Sequence, residues 1–264
     1  CNSDLGNRQA KMSKSLGNTV SPEIMVDEYG ADTVRLFILY GANPEAGMDW
    51  SDNAIISNHK QMQSIIDAFE SSRSFIDAPS EIDSWLLSKM RLNHLKWKSA
   101  MENISLREGV MISHFEMLSD WQWYRRRGGS DRKSTEVFFR HWIPMLAPAT
   151  PHIAEEFWSK VGNQDMVSEY IISDVSELED DIIHIAKEQY LRDLIDSSRN
   201  VKGLASRHSE VAISKCIIQT SPKWKNDIAI EALSLSDKNF DFKKNGMNHV
   251  KSLGVFGVEK LRGE

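Results

Sequence analysis

Between Asn53 and Ile76, apolar residues recur at steps of three or four or their multiples, through Ile55, Met62, Ile66, Phe69 and Ile76, with His59 in register. That is the period of a helix with one buried face. Ala78-Pro79-Ser80 breaks the pattern, and Ile82, Trp85, Leu86 and Leu92, with Lys89 and Lys96, mark a second helix ending near Asn103. Ser105-Leu106-Arg107-Glu108 has the spacing of a capping box, so a third helix is predicted there, with Val110, Phe115, Leu118 and Trp121 on its apolar face. It runs out in Trp123-Tyr124 and three arginines before Gly128-Gly129. A fourth helix from about Ser134 carries Val137, Phe138, Trp142 and Met145, and Pro144 should bend it by removing a hydrogen bond. Thr150-Pro151 then starts a fifth helix through Ile153, Phe157 and Trp158 to Gly162.

The flanks read differently. Ser21-Pro22-Glu23 is a helix start with Ser21 as cap, and that helix should stop near Gly30. Asp32 can cap the next helix, whose Val34, Leu36, Phe37 and Leu39 are too apolar to face water, and Arg35 reads as a packing or ion-pair residue. Gly41, Pro44 and Gly47 form a connector. Beyond Gly162, Val167 to Ser173 has the length and composition of a strand. The acidic run from Asp174 to Asp181 leads into a long helix with Ile183, Ala186, Tyr190, Leu194 and Val201 as its apolar face. Val211 to Thr220 alternates like a strand, Ser221-Pro222 starts a helix to about Leu235, and a short helix is predicted from Met247 to Leu253. The expected fold is mainly α. Its three parts are a leading loop-and-helix segment (1–52), an α-helical bundle (53–162) and a small α/β C-terminal module (163–264).

Composition narrows the function classes. The 264 residues suffice for more than one packed domain. Two cysteines, Cys1 and Cys216, lie far apart and in no metal-ligand spacing, which points to a reducing compartment, the cytosol. No apolar run approaches the roughly 20 residues of a membrane span, so no membrane partner is expected. A net charge of −6 argues against a global grip on nucleic acid, DNA included, so any RNA contact must be local. The most basic run is Arg125-Arg126-Arg127, with Arg132 and Lys133 nearby. It has two readings: a helix C-terminus favoured by the macrodipole, or a set of RNA backbone contacts. Most of the eight tryptophans fall at helical core positions and read as packing. His152, Glu155 and Glu156 resemble no ligand arrangement, because adjacent glutamates point in different directions on a helix. No metal site is expected in this chain.

The candidate chemistry lies near the start. In Lys11-Met12-Ser13-Lys14-Ser15-Leu16-Gly17-Asn18, two lysines supply ammonium groups, two serines supply hydroxyls, and Gly17 permits backbone angles that a side chain forbids. That is the outline of an anion site. As spelled, Lys11 to Ser15 resembles the KMSKS loop of class I aminoacyl-tRNA synthetases. The following Tyr29-Gly30-Ala31-Asp32-Thr33-Val34-Arg35-Leu36 is similar to that family in the same order. Leu146 to Trp158, with Pro151-His152-Ile153-Ala154-Glu155-Glu156, looks most like leucyl-tRNA synthetases. Asp120-Trp121-Gln122-Trp123-Tyr124-Arg125 and Ser221-Pro222-Lys223-Trp224-Lys225 resemble their archaeal/eukaryotic type.

The resemblance implies a ligase that activates leucine with ATP and transfers it to tRNA(Leu), with a class I bundle of the anticodon-binding type gripping the tRNA. It implies Lys14, assisted by Lys11, on the ATP phosphates, Met12, Ser13 and Ser15 completing the ATP-binding loop, and Mg2+ arriving with ATP. Arg125, Arg126, Arg127, Lys223 and Lys225 are the candidate tRNA contacts. There is no HIGH-like tetrapeptide and no Gly-rich nucleotide-binding turn. The chain is therefore expected to be the C-terminal part of a longer polypeptide, inactive alone, with leucine and most of the ATP bound by an N-terminal catalytic portion. A methionyl, valyl or isoleucyl enzyme, or a stand-alone tRNA-binding or assembly module, are the alternatives.

Overall fold

The structure is a computed structural model and describes residues 12–13, 15, 17–42, 46–48, 50–73, 76–172, 175, 178 and 180–208. By its contacts the chain divides into two units, Cys1–Leu194 and Ile195–Glu264. The first holds α1 (Pro22–Tyr29), α2 (Ala31–Gly41), α3 (Asp52–Ser71), α4 (Glu81–Glu102), α5 (Leu106–Val110), α6 (Met117–Arg126), α7 (Arg132–Leu146) and α8 (Pro151–Lys160). Helix α9 (Ile182–His208) begins in the first unit and ends in the second, of which only its C-terminal turns are described.

The five predicted bundle helices are present. The third is built from α5 and α6 joined by a π-helical segment, Met111–Glu116. This wider turn coincides with two side chains bonding backbone carbonyls: Trp142 Nε1 donates to Ser113 O (2.7 Å) and Gln61 Nε2 to His114 O. Wide turns of this kind sit where the i→i−4 ladder is interrupted. Helix α7 runs through Pro144 and ends two residues later.

The core is aromatic. Trp121 of α6 lies against Phe138 and Phe139 of α7 with ring centroids 5.6 and 4.9 Å apart, and Phe69 of α3 stacks on Phe157 of α8 at 4.0 Å. Trp85, Trp121 and Trp142 are among the largest fully buried side chains, so the tryptophans at these positions are packing residues. A smaller cluster of Val34, Phe37 and Ile55, joined by Met25, Tyr29 and Trp50, packs α1 and α2 on α3.

Several caps differ from the sequence reading. Ser21, Ser105 and Thr150 occupy N-cap positions, but none uses its side chain on its own helix. The Asp83 carboxylate instead accepts from the Ser80 N–H and hydroxyl at the start of α4, and the Asp131 carboxylate accepts from Ser134 N at the start of α7 (3.0 Å). Tyr124 ties these two starts together, donating its hydroxyl to Asp83 and accepting the Asp131 N–H at 2.9 Å. Burial first, and then the Asp83 bond, push the phenol pKa well up.

The strand expected over Val167 to Ser173 is a correction. Val167–Glu169 form a single 3-10 turn, and no strand occurs among the described residues. A strand needs a neighbouring edge for its amides. Here Glu155 of α8 takes that part, accepting from Val167 N (2.8 Å) and Ser168 N (3.3 Å), while Val167 and Val175 are buried. The elements expected over Val211 to Thr220, Ser221 to Leu235 and Met247 to Leu253 lie outside the described residues.

Helix α9 also departs from its predicted face. Ile183 and Tyr190 are 67% and 62% exposed, whereas His184, Glu188 and Arg192 turn inward. The surface they meet is polar, as described next.

Candidate nucleic-acid interface

The lysine-serine loop is described in part. Ser13 N donates to Asn18 Oδ1 at 2.8 Å, and the Ser13 and Ser15 hydroxyls lie 2.7 Å apart. Gly17, at φ +63°, takes the left-handed conformation that favours glycine. Met12 is 42% exposed. Ser13 is thus bonded to both Ser15 and Asn18. Lys11 and Lys14 lie outside the described residues, as do Lys223 and Lys225.

The arginine run is divided among three tasks. Arg125 is half-buried, bonds Gly129 O through Nη1 at 3.0 Å and stands 5.8 Å over the Trp121 ring, so it closes the C-terminus of α6. Arg127 makes a two-pronged bridge to Glu188 of α9, at 3.0 and 3.2 Å. Arg126 is exposed and lies 5.7 Å from the Trp123 ring. The two glycines that follow are needed for different reasons: Gly128 has φ +88°, and a Cβ at Gly129 would overlap the Tyr124 ring. Arg132, the other arginine of the basic patch, pairs with Asp77 at 3.3 Å.

Beside Arg125, α3 and α6 border an open groove of about 470 Å³ lined by Ser64, Asp67, Ser71, Trp121, Gln122 and Arg125. A second groove, of about 400 Å³, is lined by Tyr29, Asp32, His59, Gln63, His152 and Glu156. Each holds a carboxylate, so neither is a plain phosphate cradle.

The surface under α9 explains its reversed face. Asp120 is buried and accepts from Asn93 Nδ2 (2.9 Å) and Arg192 Nη2 (3.1 Å), with Lys89 at 3.7 Å. The Arg192 guanidinium also lies 4.8 Å from the Trp123 ring and 5.1 Å from that of Trp85. Glu188 accepts from Trp123 Nε1 at 2.8 Å as well as from Arg127. At the start of α9, the backbone and ring of His184 donate to Asp181 and hold that carboxyl below the usual range. A buried carboxylate and an indole N–H need partners more than an apolar helix face needs cover.

Asp32 and Arg35 were expected to act within or near α2, and both reach much further. Gly30 holds the N-cap position of α2, and the Asp32 carboxylate accepts from Ile153 N (2.8 Å) and bonds His152 Nδ1 (2.8 Å) at the start of α8. Arg35 donates from Nε to Ala149 O (2.9 Å) and from Nη2 to Pro148 O (3.0 Å). No local spacing reports such pairs, which are 113 to 121 residues apart. The only sequence signal was an acid and a base one turn apart on an otherwise apolar helix. His152, Glu155 and Glu156 also have separate partners: Asp32, the Val167 and Ser168 amides, and Lys160. Among the described residues, no group of three or more His, Cys, Asp or Glu side chains could hold a metal ion, and no helix is long and apolar enough to cross a membrane.

Comparison with known proteins agrees with this architecture. Residues 5–51 match the family of class I tRNA synthetases (I, L, M and V), and residues 83–217 match the anticodon-binding domain of tRNA ligase. The chain is 31% identical over 208 residues to a leucine–tRNA ligase of Archaeoglobus fulgidus, covering 77% of this chain and 22% of that protein. It is 27% identical over 275 residues to one of Methanococcus maripaludis, covering 96% of this chain and 28% of that protein. Among solved structures, the ternary complex of Agrobacterium radiobacter K84 agnB2 LeuRS with tRNA and LeuAMS has a TM-score of 0.53. It is 24% identical, over 63% of this chain and 22% of that one, which speaks for the fold. The chain thus spans between about a fifth and a third of the length of the relatives it matches. With a described core that is helical throughout and residues 83–217 matched as a unit, the chain belongs to the family of tRNA ligase anticodon-binding domains.

Proposed function

We propose that this chain works as the C-terminal part of a leucine–tRNA ligase of the archaeal/eukaryotic type, which activates leucine with ATP and transfers it to the 3′-terminal ribose of tRNA(Leu) in the cytoplasm. The observation that carries this is the order of the two family matches in one polypeptide, together with relatives of that one specificity over most of the chain. The relatives named above are leucine–tRNA ligases, which favours leucine over the methionyl, valyl and isoleucyl specificities that the class I family also includes.

In this reading Lys14, with Lys11, steadies the ATP phosphates as charge shifts onto departing pyrophosphate, which is electrostatic stabilisation by fixed cations. Ser13 and Ser15 complete the loop, and closure about Gly17 is the gating step. Mg2+ arrives with the nucleotide. The bundle holds the tRNA body, with Arg126 as its most available cation in the arginine run.

The test is to join the chain to an N-terminal catalytic portion from one of these relatives and follow leucine-dependent pyrophosphate exchange and leucylation. The joined protein is expected to be active and the chain alone inactive, with Lys14→Ala lowering exchange by roughly 100- to 1,000-fold. Exchange by the chain alone, or tRNA binding by the joined protein without leucylation, would overturn the proposal.

A further inference from the structure

Helix α2 holds both ends of the corner between α7 and α8. Thr150 stands at the N-cap position of α8, but its hydroxyl is drawn away, bonding His114 Nε2 at 2.9 Å and Leu146 O at 3.2 Å. The free amides at the start of α8 are met by the Asp32 carboxylate. The carbonyls of Pro148 and Ala149, in the turn after α7, are met by the Arg35 fork. The Asp32 carboxylate complements the N-terminal end of α8, and the Arg35 guanidinium satisfies two carbonyls of the turn, both from one helix.

Such a cap would ordinarily be local. Here the cap comes from α2, the second helix after the lysine-serine loop. On its other side α2 is tied back toward the loop: Val34 and Phe37 pack with Met25 and Tyr29 of α1, and α1 begins four residues after Asn18. Beyond the corner, Thr150 leads through His114 into the π-helical segment, whose carbonyls receive Gln61 of α3 and Trp142 of α7. A series of bonds and packed side chains therefore runs from α1, which begins four residues beyond Asn18, through α2 and the corner to the bundle interior.

We propose that Asp32 and Arg35 are positioning residues, a two-ended clamp that fixes the phosphate loop in register with the bundle so that bundle-held tRNA meets the reacting end correctly. The proposal rests on the leucine–tRNA ligase reading above. Neither residue touches substrate; both act through the corner.

The experiment uses the complete ligase with Asp32→Ala and, separately, Arg35→Lys, which keeps the charge but loses the fork across two carbonyls. Leucine-dependent exchange without tRNA, tRNA affinity, leucylation kcat and KM, and melting temperature are measured together. A clamp predicts exchange, tRNA affinity and KM within about twofold of wild type and leucylation kcat roughly 10- to 100-fold lower in both variants. If exchange and leucylation fall in parallel with the melting temperature, or if leucylation is unchanged, the clamp is overturned while the parent reading stands. A wild-type protein with no leucine-dependent exchange would overturn the parent reading and the clamp with it.

Discussion

The α6–α7 seam and the α9 contact both pack one helix on another, and they are held by opposite means. In the first, Trp121 of α6 meets Phe138 and Phe139 of α7 ring against ring. In the second, Glu188 and Arg192 meet Arg127, Trp123, Trp85 and Asp120, while Ile183 and Tyr190 of the same helix face outward. An apolar seam gains from area and tolerates small shifts. A seam keyed by charge gains little net energy but is costly to break from one side, because the remaining charge stays buried. The first kind makes stability, and the second sets where a helix sits.

The sharpest way to break the comparison is at the aromatic seam. Trp121→Ala should cost about 3–5 kcal/mol in urea unfolding, the usual loss for a fully buried large side chain. A loss below about 1 kcal/mol would mean that the seam repacks freely.

Acid should strain the bundle next. Burial, helped by His94 and Arg140, lowers the His141 pKa to about 4, and burial lowers that of His114 to about 3. Both lie below the ordinary 6.5, so between these values the unfolded chain binds protons that the native state does not. Their contribution is intact above pH 6.5 and is lost as pH falls toward 4 and then 3, at roughly 1 kcal/mol per pH unit per histidine. Urea titrations at pH 7, 5.5 and 4.5 would measure the slope. His141→Gln should reduce it by about half; a slope unmoved by that change would place the titration elsewhere.

At α9 the expected effect is smaller and more local. Arg192→Met should cost about 2 kcal/mol, typical of hydrogen bonds to a charged group, and Asp120 keeps Lys89 and Asn93. Hydrogen exchange should rise across the N-terminal turns of α9 before it rises in α6 or α7. Simultaneous loss in all three would show that the charge-keyed seam is as cooperative as the aromatic one.

The smallest effect separates the arginines. Arg126→Gln should lower the salt slope of tRNA binding by roughly 0.7–0.9, as for one lost phosphate contact. Arg127→Gln should instead loosen α9 and leave the slope nearly unchanged, because Glu188 already occupies its fork. Equal slopes for the wild type and both variants would remove the arginine run from the RNA interface.

The pattern of apolar residues was enough to place α3, α4, the α5–α6 helix, α7 and α8, because each buries its own stripe and the period survives whatever it packs against. The expectation of a phosphate loop at Lys11 to Ser15 likewise rests on chemistry that is local in the chain. Caps were legible as positions and not as bonds. Ser21, Ser105 and Thr150 stand where caps stand, yet the bonds at other helix starts come from Asp83, Asp131 and, for α8, Asp32. The face of α9 was misread because periodicity counts apolar residues and is blind to a buried Asp120 waiting for an arginine.

By itself, then, the sequence determined which of the described bundle segments are helices, since that follows from neighbours within a few residues. Tertiary structure alone decided which arginine is available, which face of α9 turns inward, and that α2 caps a helix more than a hundred residues away. Those outcomes depend on which polar groups are left unsatisfied after the helices pack, and packing brings together residues that no local spacing relates.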